Sequence, residues 1–191
     1  MATTKPGERK LQILQTLASM LEQPSSEKIT TAALAQRLDV SEAALYRHFA
    51  SKAQMFEGLI EFIESTVFSL INQISEQQEN GLLQAQAIVA MLLGFAERNP
   101  GMTRVLIGDA LVHENERLQQ RMNQFVERVE MALRQSLRLA ASQGHCSEAE
   151  AALRASMITS LVIGRWHRYA KTGFRHSPAE HAQAQIGMLL A

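Results

Sequence analysis

The chain has 191 residues, 46% hydrophobic and 20% charged, and its acidic and basic side chains cancel to a net charge of zero. That length holds a sizeable core, enough for one domain plus a small second one, and the charge excludes a protein that coats DNA by general basicity. A single cysteine, Cys146, excludes an internal disulfide and points to a reducing cytoplasm. The polar Met1–Arg9 stretch is no secretory signal, and the longest apolar run, Ala87–Ala96, falls short of the roughly 20 residues a bilayer span needs.

Helical spacing dominates from end to end. A first helix is predicted over about 7–23, with Leu14, Leu17, Ala18 and Leu21 on one face, and Gln23-Pro-Ser-Ser ends it. Two short helices follow within residues 30–50. Ser51-Lys-Ala-Gln54 resembles a capping box and opens a long helix with the stripe Met55, Phe56, Leu59, Ile60, Ile63, Val67, Leu70, Ile71 and Ile74; Phe62 lies off it. Asn80-Gly81 is a break, and Leu82–Glu97 reads as an apolar helix. Asn99-Pro100 reads as an Asn cap with Pro at the first helical position. A helix from near Glu114 to about Ala141 carries Met122, Phe125, Val126, Val129, Leu133 and Leu137. Ser147-Glu-Ala-Glu150 is a second capping box, opening a helix to about Lys171, and Ser177-Pro178 starts a short last helix. No stretch alternates as a strand does, so the expected fold class is all-α.

Residues 30–52 are the most informative. Thr30 or Thr31 can cap the first short helix, Leu34 and Leu38 share its inner face, and Asp39-Val40 is the turn. Ser41 can cap the second helix, with Glu42 suited to its dipole; Leu45 and Phe49 turn inward. Glu42, Ala43, Tyr46 and Arg47 then point outward, with Ala44 and His48 on the flanks. A small-residue face ending in a phenol, a guanidinium and an imidazole suits a helix in a DNA major groove. Thr31, Ser41, Tyr46, His48 and Lys52 are candidate phosphate contacts, although capping and solvation account for some of them. Ala43 and Ala44 can approach thymine methyls, and Arg47 can reach guanine. Glu42 can accept from cytosine or simply satisfy the helix dipole. Residues 1–52 carry seven Lys/Arg against five Asp/Glu, an excess of only +2.

Ser41-Glu-Ala-Ala-Leu-Tyr-Arg-His-Phe-Ala-Ser-Lys52 resembles the signature of TetR-type regulators. The resemblance implies a helix-turn-helix head over 1–52, a helical dimerisation and partner-binding body over 53–191, and a homodimer on pseudo-palindromic double-stranded DNA. Further motifs are similar to a branch of that family that acts in nucleoid occlusion: Ile29-Thr-Thr-Ala, Gly58-Leu-Ile-Glu-Phe-Ile-Glu64, Leu92-Leu-Gly-Phe-Ala-Glu-Arg-Asn-Pro-Gly101 and Asn115-Glu-Arg-Leu118. Members of that branch bind chromosomal sites and, when DNA-bound, antagonise the division GTPase FtsZ. This implies a cytoplasmic, nucleoid-associated protein, with Phe62, Met91, Gly94, Arg98 and Asn99 as the FtsZ-binding residues. Plainer readings of these are helix packing and capping. Dimers stacked in pairs on DNA also fit that branch. The chain departs from its pattern with Ala33 in place of a usual Lys, Ala50 in place of Pro and Leu70 in place of Arg.

The helices around 118–140 and 149–171 are expected to form the dimer as a four-helix bundle through Phe125, Val129, Leu133, Ile158, Leu161 and Val162, or else to use those faces as core. No catalytic motif is visible. His145-Cys146 alone makes a poor metal site, so neither metal nor cofactor is expected. Trp166, His167 and Tyr169 can line a pocket or pack a helix pair. The alternative function is a ligand-responsive TetR-type repressor with a small molecule in its body.

Overall fold

The computed structural model describes residues 6–23 and 29–191, and among these every regular element is helical. In chain order they are α1 (Pro6–Leu21), α2 (Thr31–Arg37), α3 (Glu42–Tyr46), α4 (Lys52–Gln77), α5 (Gly81–Arg98), α6 (Pro100–Leu106), α7 (Glu116–Ser142), α8 (Glu148–Lys171) and α9 (Ala182–Leu190), with a single 3-10 turn at Asp109–Leu111. The predicted Pro24–Ser26 break lies outside the described residues.

Local chemistry sets most boundaries. Thr30, not Thr31, caps α2, its hydroxyl accepting from Ala33 N at 3.1 Å. Ser41 caps α3 through Ala44 N at 3.3 Å. Ser51 caps α4 through Gln54 N, but the Gln54 side chain accepts from Ala50 N instead of the cap's own N–H. Ser147 and Glu150 form the full reciprocal capping box of α8. Two expectations need correction. Asn99 makes no side-chain cap on α6; its amide donates back to Phe95 O at 2.7 Å and closes α5. The last helix starts at Ala182, four residues beyond Pro178, after a turn ending in left-handed His181.

The head packs Ile13, Leu17, Leu34, Leu45 and Phe49 between α1, α2, α3 and the start of α4. The α4 stripe is buried from Met55 to Ile71, except half-buried Leu70, and continues the core into the body. There α7 and α8 form a long hairpin, and α5 lies between α4, α7 and α8. Trp166 is buried and donates Nε1 to Leu92 O at 3.3 Å; Tyr169 donates its hydroxyl to Glu97 O at 3.1 Å. Both rings therefore pin α8 to α5. A row of charge pairs ties α4 to α7: Glu57 to Arg117 at 2.6 Å and Glu64 to Arg121 at 2.6 and 3.2 Å. The Arg128 guanidinium continues it, 3.7 Å above the Phe68 ring, which meets Phe125 edge-on.

Five of the six residues expected at the dimer seam take the alternative role of core within one protomer. Phe125, Leu133 and Ile158 are fully buried, Val129 and Val162 are nearly so, and Leu161 is half-buried. The period was read correctly, but the α7/α8 hairpin consumes that face. The apolar side chains these helices leave outside are Met131 (59% exposed), Leu153 (65%) and Met157 (53%).

Candidate nucleic-acid interface

The turn between α2 and α3 passes through Asp39 at φ 53, a left-handed conformation in which a side chain is strained. It sets α3 across α2 so that Leu45 and Phe49 go inward while Ser41, Glu42, Ala43, Tyr46 and Arg47 stay exposed. Ala44 and His48 are half-buried at the edges. α3 itself ends at Tyr46, so Arg47 and His48 extend from the turn that follows it.

Three side chains on this face are linked. Tyr46 donates its hydroxyl to Thr31 Oγ1 at 3.4 Å, and Thr31 donates to Glu42 Oε2 at 2.6 Å. Thr31 is thus an anchor between the two short helices, with one carboxylate and one phenol converging on it. Glu42 is engaged within the face, while Ala43 and Arg47 stay exposed and Ala44 is half-buried.

Lys52 is the first residue of α4, five positions beyond Arg47. Its ammonium pairs with Glu114, at the end of the loop leading into α7, and sits 5.6 Å over the Phe56 ring. Sequence reasoning missed this partner: nothing in the spacing links positions 62 residues apart. It also missed Arg104, which donates to Leu21 O and Gln23 O and so holds the end of α1 from α6. The only sequence signal for Arg104 was its place in the helix opened by Pro100.

The second group of predicted residues lies on α4 and α5. These helices are joined by a short turn, so Phe62, fifteen residues before the end of α4, lies level with the last turn of α5. Phe62 is 38% exposed; Met91 and Gly94 are half-buried. The bare Cα of Gly94 makes room for the Arg98 guanidinium, whose Nη1 would stand 3.2 Å from a Cβ there.

The helix-turn-helix face on an all-helical body defines a DNA-binding regulator. Solved structures agree on the fold. The fatty acid degradation regulator FadR from Bacillus halodurans superposes with a TM-score of 0.79 at 13% identity, over 100% of this chain and 97% of that one. AibR, solved with isovaleryl coenzyme A and operator DNA, gives 0.75 at 16% identity over 95% and 98%. Residues 13–59 match the model for bacterial regulatory proteins of the tetR family, and residues 79–191 match an SlmA-like model, a tetracyclin repressor-like C-terminal domain. Nucleoid occlusion factor SlmA of Alteromonas mediterranea is 47% identical over 97% of this chain and 95% of its own length, and that of Vibrio vulnificus 46% identical over 100% and 98%. The chain therefore belongs to the TetR family and, within it, to the SlmA nucleoid occlusion factors. It is a DNA-binding regulator and not an enzyme. No helix among the described residues is long and apolar enough to cross a membrane.

Proposed function

We propose that the protein binds a pseudo-palindromic DNA site as a homodimer and, when DNA-bound, inhibits assembly of FtsZ into the division ring over the chromosome. The observation that carries this reading is likeness to nucleoid occlusion factors along the whole chain, body included, at 46–47% identity. Thr31, Ser41, Tyr46, His48 and Lys52 are assigned to phosphates, and Ala43, Ala44 and Arg47 to bases. Two-fold symmetry places the half-sites whole helical turns apart, roughly 34–36 Å each. The outer faces of α7 and α8, with Met131, Leu153 and Met157, are assigned to the dimer seam.

Phe62, Met91, Gly94, Arg98 and Asn99 are assigned to FtsZ. An exposed aromatic on α4 and a cation seated over a glycine on α5 offer an apolar contact and a charge-assisted hydrogen bond. The test is direct. Phe62→Ala and Arg98→Glu should keep DNA affinity within twofold of wild type and lose at least tenfold in binding to immobilised FtsZ. Unchanged FtsZ binding by both variants contradicts the assignment.

One observation favours a ligand-responsive repressor. A cleft of about 450 Å³ opens between Leu106, Ile107, Met122, Val126 and Ile163, with Gln119, Asn123, Glu127 and His167 at its rim. Acyl-CoA thioesters, the ligand class present in two solved fold neighbours, are the probe. Release of bound DNA by any of them would move the assignment to that reading.

A further inference from the structure

We propose that Glu114 is a counter-ion carried by the body for the DNA-binding Lys52, and that a DNA phosphate takes its place. The inference rests on the reading of Lys52 as a phosphate contact. In the free protein the Lys52 ammonium is paired with the Glu114 carboxylate, and the two side chains are only 19% and 9% exposed. Burying an ammonium to this extent is costly unless an anion lies against it. The Phe56 ring flanks it, and Glu57, five residues along α4, is held by Arg117 at 2.6 Å. A DNA phosphate oxygen is a second anion for the same ammonium. The two anions repel each other at that spacing, so DNA binding and the Lys52–Glu114 pair oppose one another.

The exchange has a consequence beyond affinity. Glu114 sits between the 3-10 turn at Asp109–Leu111 and the Asn115 cap of α7, and its own backbone N–H is tied to Leu111 O. Its carboxylate links this loop to the first turn of α4. When phosphate takes Lys52, the loop loses that tie to the head. DNA occupancy is thereby passed to the start of α7, and anything that immobilises the loop weakens DNA binding in return.

The experiment uses the full chain and one tight-binding duplex selected from genomic fragments, titrated by fluorescence anisotropy. Glu114→Gln, nearly the same shape without the charge, should bind DNA at least threefold more tightly than wild type. Lys52→Gln should bind more weakly with a shallower salt dependence, and the double variant should match Lys52→Gln, because Glu114 acts only through Lys52. In wild type, amide hydrogen exchange at residues 112–116 should speed up on DNA binding. That readout needs no variant and holds even where Glu114→Gln fails to fold. Unchanged or weaker binding by Glu114→Gln, a gain that persists without Lys52, or exchange at 112–116 that DNA leaves unchanged each overturns the proposal. If Lys52→Gln leaves both affinity and salt dependence unchanged, the phosphate assignment of Lys52 fails and the proposal with it, while the rest of the DNA face and the FtsZ reading stand.

Discussion

Gly101 lies directly on the backbone of Ala18: a Cβ at position 101 would overlap the Ala18 carbonyl oxygen. Helix α6 therefore meets the α1 backbone directly at Gly101, and Arg104, one turn on, caps the end of α1 from the same helix. This is the physical need behind the glycine of the Asn-Pro-Gly segment. Gly101→Ala should force the two helices apart and destabilise the protein by about 2 kcal/mol or more, a melting temperature lower by roughly 4–8 °C. Gly187→Ala, which meets open space in α9, should instead stabilise by about 0.5–1 kcal/mol. Thermal denaturation of the pair checks both signs.

Asp39 occupies a left-handed turn at φ 53. Glycine adopts that conformation without steric penalty, so Asp39→Gly should stabilise the head by about 0.5–1 kcal/mol, and DNA affinity should hold or improve. A lower melting temperature would show that the Asp39 side chain supplies a contact that outweighs the strain.

The two outward groups after the small face of α3 should behave differently. Tyr46→Phe removes the hydroxyl that donates to Thr31 and should weaken DNA binding about equally for all sequences. Arg47→Ala should erase the preference at one base pair, a loss of about 1–3 kcal/mol against the best site and less against others. Affinity measured across a set of single-base variants of the operator separates the two patterns.

Met157 is 53% exposed in the protomer, whereas its neighbour Ile158 is fully buried. Met157→Glu should therefore leave the protomer folded but shift sedimentation from dimer to monomer and abolish tight binding to a two-half-site operator. Ile158→Ala should cost about 2–5 kcal/mol of stability through a core cavity. A dimeric Met157→Glu would place the seam elsewhere.

Asp109 joins α6 and α8, taking Arg104 Nε at 3.0 Å and the Lys171 ammonium. Burial alone pushes its carboxyl up, but hydrogen bonds from Lys171 and Arg104 and their charges outweigh this and hold it below the ordinary 3.8. A group depressed on folding adds stability that is complete above its unfolded value and is lost as pH falls through the folded one. Asp109→Asn should thus be about 1–2 kcal/mol less stable than wild type at neutral pH, with the gap closing as pH drops below 3.8. Melting curves of both proteins across that range check the sign.

Much of this was legible in the sequence because local rules decide it. Ser41, Ser51 and Ser147 sit where a hydroxyl meets a free N–H, and the helical stripes name the buried side of α4 and α7. The same rules fail where two elements compete for one group. The Asn99 amide goes back to α5 because a free carbonyl at Phe95 is within its reach. Phe125 and Ile158 lie on the apolar faces the periodicity marks, but periodicity does not say whether such a face meets the same chain or another. Lys52 reads as a free surface cation until the fold brings Glu114 against it. Long-range pairs of charges leave no trace in spacing, and Lys52–Glu114 is one of the contacts that join the head to the body.

The most direct test of the central claim is sedimentation of FtsZ with GTP in four mixtures: alone, with selected DNA, with this protein, and with both. The account predicts that protein and DNA together lower the pelleted FtsZ more than either does singly, and that Phe62→Ala removes the effect. Tight DNA binding with an unchanged pellet would contradict it and leave a TetR-type repressor in its place.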